Sequence, residues 1–213
     1  MRIGILGSGV VGQTLGKGFL RQGHEVKIGT RDPDKLKEWL EEAGASGSAG
    51  SFSEAAKYGD LAVLATAWTG AENALRLAGP ERLAGKVLID VTNPLDFSEG
   101  PPPKPALAYP DSGGAMVQGW APEAKVVKAF NIVTARYMID ARLQEGELDL
   151  FIAGNDPSAK AEIAALAKSW NWNSVNDLGD IRQSHLLEAF ALLWIQFGFR
   201  HNHWTHAFKL LWK

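Results

Sequence analysis

The sequence predicts an α/β fold: a mostly parallel sheet doubly wound by helices, with a short helical extension at the C-terminus. Two observations carry that reading. Short apolar runs recur near 1–6, 24–29, 60–65, 85–91, 125–130 and 148–153, with helix-period patterns between most of them. Strands that alternate with helices build a parallel sheet covered on both faces. In addition, the first run, RIGIL, is followed at once by Gly7, Gly9 and Gly12 and then by apolar residues at Val11, Leu15 and Phe19, the spacing of one helix face. The chain has 213 residues, 46% of them hydrophobic, enough for one full core. The expected division is a sheet domain over 1–180 and an extension over 181–213 that packs on it.

Bulk properties exclude several function classes. A formal net charge of −2 supplies no field for gripping a phosphodiester backbone, so no nucleic-acid partner is expected. There is no cysteine, hence no disulfide, thiolate metal site or cysteine nucleophile. The N-terminus reads as a strand interrupted by glycines, without a cleavage pattern after it. The most apolar later run, Leu186 to Phe197, holds Glu188 and Gln196 and is too short to span a bilayer. A cytoplasmic protein without a membrane partner is expected.

The first strand-turn-helix unit carries the sharpest chemistry. Gly7, Gly9 and Gly12 form G-x-G-x-x-G between strand and helix. The first glycine permits the tight turn, the second admits a pyrophosphate to the backbone, and the third lets helix and strand lie close. The helix N-terminus adds free N–H groups and a positive dipole end. A Rossmann-type dinucleotide site follows. The second strand, HEVKIG, ends at Thr30 and Arg31, where an NAD enzyme would place a carboxylate on the ribose 2′-hydroxyl. A hydroxyl and a guanidinium suit a 2′-phosphate instead. Asp32 has the spacing of the ribose acid, but Asp-Pro ahead of DKLKEWLEEA reads as a helix N-cap with Pro33 at the first helical position. The expected cofactor is therefore NADP(H), with Lys35 as a second phosphate contact.

Between the second and third strongly apolar runs, Gly44 to Ser53 (GASGSAGSFS) leaves room for a short strand before a helix starting near Ser53. Cofactor sites in such sheets open at the carboxyl ends of the strands. There the sequence places Thr66, Ala67 and Trp68, then Asn93 and Pro94, then Asn131 to Ala135. Hydroxyls, amides and a flat aromatic fit a ribose and nicotinamide, and each is equally explained by strand-end turn chemistry. Asp96 to Gly114 carries five of the ten prolines and reads either as a lid or as a surface loop.

After a last strand near Ser174 to Asp177, one helical hairpin's worth of chain remains. LLEAFALLWIQFGF is apolar almost all round, as in a helix buried on several sides. Either the sheet covers it or a second copy does, and a homodimer is the expectation. His201, His203 and His206 read as an ordinary helix end or as a pocket wall. Without nearby carboxylates or cysteines, no metal site is assigned.

GILGSGVVG, GTRDPDK, TAW, VTNP, VVKAFN, DLFIAGNDPSAK and AFKLL occur in this order over nearly the whole chain. Together they resemble the coenzyme F420-dependent NADP oxidoreductase family, which is similar to the cytosolic reductase domain of the STEAP metalloreductases. The resemblance implies hydride transfer directly between NADP(H) and a deazaflavin (coenzyme F420) or flavin (FMN or FAD), with no side chain acting as acid or base. By position it implies Ser8, Gly9, Val10 and Val11 at the pyrophosphate, and Thr30, Arg31 and Lys35 at the 2′-phosphate. Trp68, Asn93 and Ala135 fall at the ribose-nicotinamide end, and His206 and Ala207 at the acceptor. The tail GFRHNHWTHAFKLL departs from the family's small, glycine-rich segment, which leaves the acceptor's identity open. A flavin-mediated metal reductase and a non-catalytic NADPH-binding sensor are the alternatives. The β-hydroxyacid dehydrogenases and pyrroline-carboxylate reductases need a longer helical C-terminal domain than the roughly 35 residues here.

Overall fold

The computed structural model describes residues 1–211. Its eight-stranded sheet is ordered β12-β11-β8-β5-β4-β1-β2-β3. The strands are β1 (Arg2–Leu6), β2 (Glu25–Gly29), β3 (Gly47–Gly50), β4 (Leu61–Leu64), β5 (Val87–Asp90), β8 (Lys125–Lys128), β11 (Asp149–Gly154) and β12 (Ser174–Asp177). All neighbours run parallel except β11 against β8. Two short hairpins stand outside the sheet: β6 (Leu95–Asp96) with β7 (Lys104–Pro105), and β9 (Arg142–Leu143) with β10 (Gly146–Glu147). The architecture is the Rossmann-type one that the alternating runs predict.

Eight helices cover the two faces: α1 (Val10–Arg21), α2 (Lys37–Ala43), α3 (Phe52–Tyr58), α4 (Ala71–Ala78), α5 (Gly113–Trp120), α6 (Ala135–Met138), α7 (Pro157–Ser169) and α8 (Ser184–His201). Alternation along each strand divides the core. Ile3, Ile5, Val63, Ile89 and Val127 join Leu15, Phe19 and Ile163 beneath α1 and α7. Leu6, Ala62, Leu64, Leu88 and Val126 join Ala55, Leu75 and Val117 beneath α3, α4 and α5. Helix α8 lies on this second side, where Leu187, Ala191 and Trp194 meet Ala153 of β11.

Some local expectations hold and others are corrected. The small-residue segment does hold a strand, β3, and the next helix starts at Phe52 with Ser51 as its cap, in line with the expected start near Ser53. The Ser51 hydroxyl accepts from the Glu54 amide while the Glu54 carboxylate accepts from the Ser51 amide, a reciprocal box that fixes the start. Asp32 occupies the N-cap of a 3-10 turn over Pro33–Leu36 but makes no capping hydrogen bond. Its carboxylate lies 3.5 Å from Lys35 Nζ instead.

The C-terminal segment is one helix with an extended return, not a helical hairpin. Asn202, left-handed at φ 47°, ends α8, and the chain then runs back along it. Trp194 Nε1 donates to the His206 carbonyl, His206 Nε2 donates to the Trp194 carbonyl, and the Leu210 amide donates to buried Asp149. Backbone and side-chain partners offered by α8 and β11 thus replace the intrahelical bonds of a second helix. Nor is α8 buried all round. Ser184, Leu187, Glu188, Ala191, Trp194 and Gly198 are buried, while Leu186, Leu193 and Phe197 form an exposed stripe at 46%, 54% and 45%. Only one face meets the sheet, because a single outer helix touches its support along one side. Residues 212 and 213 of the expected extension lie outside the described residues.

Candidate cofactor cleft

The loop Gly7–Gly9 leaves β1 where the strand order reverses, between β1 and β4. A crevice forms there because the chain departs in opposite directions on the two sides. Each glycine has its own reason. Gly7 has φ 131°, and a Cβ on it would collide with the Ala65 carbonyl. A Cβ on Gly12 would collide with the Gly7 carbonyl, whereas the space beside Gly9 is open. Helix α1 starts immediately after, with no side-chain cap and no acidic residue in its first turn. By contrast Ser51, Ser112 and Asp156 cap α3, α5 and α7. Uncapped N–H groups beside an open glycine suit an anion.

The crevice has two lobes that share Gly9, Ala65, Thr66, Ala67 and Thr69. The outer lobe, about 580 Å³, adds Gly7, Ser8, Thr30, Arg31, Asp32, Lys35, Phe52, Gly70 and Asn73. The inner lobe, about 640 Å³, adds Val10, Val11, Trp68, Val91, Thr92, Asn93 and Leu95 to Ser98. The Thr66 hydroxyl is buried with no partner in the protein, and such a group calls for one from a ligand. A dinucleotide fits this cleft on two independent counts, the open glycine and the orphaned hydroxyl.

In the outer lobe Thr30 is a builder of the turn. Its hydroxyl accepts from the Asp32 amide at 3.0 Å, donates toward the Asp32 carbonyl at 3.1 Å and lies 2.7 Å from the Ser8 hydroxyl. Arg31 is exposed and, among the described residues, has no hydrogen-bond or ion-pair partner. With Lys35 tied loosely to Asp32, Arg31 is the cation most available to a phosphate.

The inner lobe brings together only part of the predicted set. Asn93 lines it, but Pro94, Asn131 and Ala135 do not. Asn131 is 4% exposed and acts behind the wall. Its amide nitrogen donates to Asn93 Oδ1 at 2.9 Å and to the Leu187 carbonyl at 3.1 Å, and Asn93 Nδ2 donates back to the Asn131 carbonyl. Burial against α8 makes it a strut for Asn93 and not a surface contact. The preceding residue, Phe130, is left-handed at φ 61°, which costs a bulky side chain about 1–3 kcal/mol. Its ring, 5.4 Å from that of Trp170 and 6.0 Å from that of Trp172, holds the conformation.

A buried ionic triad behind this wall was not anticipated. Asp90 and Lys128 are register partners on β5 and β8. Lys128 Nζ lies 3.0 Å from Asp90 Oδ2 and 3.0 Å from Glu188 Oε1, with both Lys128 and Asp90 side chains fully buried. Asp90 Oδ1 accepts from the Thr92 amide and hydroxyl. The Glu188 carboxylate accepts from the Gly113 and Gly114 amides, which ties α8 to the N-terminus of α5. A Cβ on Gly113 would stand 2.8 Å from Glu188 Oε1 and 3.2 Å from the Trp68 ring, so this tie stands directly behind the cleft. Burial alone would pull the Lys128 ammonium down, but Asp90 and Glu188 outweigh it and hold its pKa above the ordinary lysine value. The signal was present in the sequence: a charge at an inward position of two runs, VLID and VVKAF, each covered on both faces, must find a partner.

The chain is similar to several known proteins. The model for "NADP oxidoreductase coenzyme F420-dependent" matches residues 2–94. The F420-dependent NADP reductase of Methanocaldococcus jannaschii is 29% identical over 213 residues, covering 95% of this chain and 94% of that one. A crystal structure from Arthrobacter sp., provisionally named an F420-dependent NADP-reductase, is 40% identical, covers 99% of both chains and superposes with a TM-score of 0.93. The chain belongs to the coenzyme F420-dependent NADP oxidoreductase family. Metalloreductase STEAP3 of Rattus norvegicus is 27% identical over 194 residues, and the chain spans 36% of that protein's length. A reductive aminase from Aspergillus terreus, solved with NADPH, shares the fold at 21% identity and a TM-score of 0.67.

As a member of this family the chain is an NADP-dependent oxidoreductase, and the tail is where its own character lies. His206 and Ala207 are not in the walls of either lobe. His206 instead stacks on Trp194 with centroids 4.7 Å apart, in the reciprocal bond already described. Ala207 packs against the α1-side core. His201 ends the helix while His203 and His206 lie on the return, and no cluster of metal-ligating side chains forms among the described residues. No helix among them is long and apolar enough to cross a membrane.

Two contributions to the cleft are not marked residue by residue in the sequence, although the proline-rich loop reads as a lid or a surface loop. The proline-rich loop contributes Asp96, Phe97 and Ser98 to the inner lobe, because the β6–β7 hairpin and a bond from Gln196 to the Pro103 carbonyl hold it there. The Asn73 contribution comes from α4, whose helical pattern carries no mark of a ligand.

Proposed function

We propose that the chain transfers a hydride between NADP(H) and a deazaflavin (coenzyme F420) or flavin acceptor. The observation that carries this reading is the composition of the inner lobe. Its walls hold aliphatic side chains, hydroxyls, one amide and the rings of Trp68 and Phe97, with Asp96 as the only titratable group. The Asp96 carboxylate is held below the usual range by the Ser98 amide and hydroxyl, so it is no proton donor near neutrality. When bound, NADPH would supply the hydride with its electron pair to the acceptor ring. This chain's residues orient and exclude water: Thr66 and Asn93 offer hydrogen bonds, Asn131 fixes Asn93, and Trp68 walls the lobe. Arg31 and Lys35 select the phosphorylated cofactor.

Anaerobic oxidation of NADPH and NADH by the purified protein with F420, with FMN and with no acceptor tests this. Acceptor-dependent turnover preferring NADPH is expected. NADPH binding without turnover on either ring would favour the sensor alternative. The likeness to Metalloreductase STEAP3 supports a second reading in which a flavin passes electrons on to a metal ion, and ferric chelate added to the FMN arm as a probe tests it. The exposed Leu186, Leu193 and Phe197 stripe is the face we assign to a second copy in a homodimer.

A further inference from the structure

We propose that the shelf between α1 and α6 binds the phosphate or carboxylate groups on the tail of the hydride acceptor, an inference that rests on the function proposed above. Helix α1 presents Val10, Thr14, Lys17 and Arg21 on one face, at i, i+4, i+7 and i+11. Val10 is a wall of the inner lobe. The other three line a separate concavity of about 460 Å³, whose opposite wall is Arg136, Tyr137 and Arg142. The shelf and the inner lobe share no lining residue but lie along the same face of α1. At 1.5 Å per residue, Lys17 stands roughly 10 Å and Arg21 roughly 16 Å from Val10, the reach of a ribityl phosphate or of a longer acidic tail.

The charge on the shelf is unbalanced. Four cations face one lining carboxylate, Asp140, in a chain whose net charge is −2. Asp140 is already taken, bidentate, by Arg142 at 2.6 Å on each oxygen, with Asn171 as a further donor. Lys17 pairs with Glu42. Arg136 lies 4.6 Å over the Tyr137 ring and donates to its hydroxyl at 2.7 Å. Arg21 has no hydrogen-bond or ion-pair partner among the described residues. Two guanidiniums therefore stand on a concave surface without a carboxylate hydrogen-bonded to them, Asp140 acting on Arg21 only through its charge, and a planar fork of donors is suited to phosphate and carboxylate. The cofactor's own phosphate does not account for them, since Arg31 and Lys35 wait in the outer lobe, on the far side of Gly9.

The test compares acceptors that differ only in the tail. Dissociation constants for FMN and riboflavin are read from quenching of flavin fluorescence by NADP+-saturated protein. KM is measured with NADPH for F420 and for its deazariboflavin analogue lacking the phosphorylated tail. Each tailed ligand is expected to bind roughly tenfold more tightly than its tail-less counterpart at low salt. The ratio should fall toward one in the Arg21→Ser/Arg136→Ser variant and in about 0.5 M salt. A ratio near one in the native protein, or one that the double substitution leaves unchanged, overturns the shelf while turnover keeps the acceptor reading. Absence of binding and turnover with all four overturns both.

Discussion

Replacing Lys128 by Met tests the buried triad that underlies the cleft. Met matches the length of the lysine stem and fills the same space, so the change isolates the ammonium. What remains is Asp90 and Glu188, each with its backbone donors but with no cation within the 3.0 Å that Lys128 now occupies against both. Stranding buried charge in this way costs about 3–5 kcal/mol. For a chain of this size, 1 kcal/mol corresponds to roughly 2–4 °C of melting temperature, so a fall of about 10 °C is expected. Urea unfolding at several pH values is the assay. Because the Lys128 pKa is raised on folding, its contribution is full below the unfolded lysine value near 10.4 and is lost as pH rises through the folded one. A variant within about 1 kcal/mol of native at pH 7, with unchanged pH dependence, would refute the view that the triad is a coupled charge network.

Other perturbations separate the cleft's parts. Gly9→Val should melt within a few degrees of native, because its Cβ meets nothing, yet lose NADPH binding at least 100-fold by titration; undiminished affinity would remove the cleft assignment. Arg31→Ala should weaken NADPH by roughly 10- to 100-fold and NADH by under threefold, whereas equal losses in calorimetry would return specificity to Asp32. The Asp156 carboxyl is lowered to about 2 by Ser158, the Ala159 amide and Lys125, so the stability gap between native and Asp156→Asn should be full above roughly pH 4 and vanish as pH falls through about 2; a gap constant across acid unfolding curves would contradict the cap. Leu193→Glu, on the exposed α8 stripe, should convert a sedimenting dimer to monomer, and a native monomer at micromolar concentration would end the homodimer reading.

The parts of the fold legible in the sequence are those whose cause is local. RIGIL followed by G-x-G-x-x-G is legible as a turn because Gly12 is squeezed by the Gly7 carbonyl within the same unit, although Gly7 itself is crowded by the Ala65 carbonyl at the end of β4. The Ser51–Glu54 box is as local, since both partners lie three residues apart, and the helix start near Ser53 is legible there. Contacts made at long range were opaque. Asn131 reads as a ligand-facing amide until Leu187, 56 residues on, supplies its acceptor. The largely apolar run in α8 carries little information about which face meets β11, and the tail's extended return depends on Trp194, 12 residues from its partner, and on Asp149, 61 residues from its own.

Several departures from local rules are gathered around one place. Thr66 keeps an unpartnered hydroxyl in the cleft wall, Asn131 an unpartnered Oδ1 just behind it, Phe130 adopts a glycine's conformation, and Lys128 is a fully buried cation. Elsewhere Trp170 Nε1, Ser184 Oγ and His206 Nδ1 also lack partners, so the surroundings of the cleft hold several of the departures and not all of them. Consistency across levels is what lets a sequence specify a fold, and conflicts are tolerated where function requires them. Here the conflicts lie on adjoining strand ends, and Glu188 joins them to α8. The C-terminal helix therefore reaches into the cofactor cleft without lining it: through Leu187 it fixes Asn131 and hence Asn93, and through Glu188 it fixes Gly113 beside Trp68. A change in how α8 seats would move both walls of the inner lobe together.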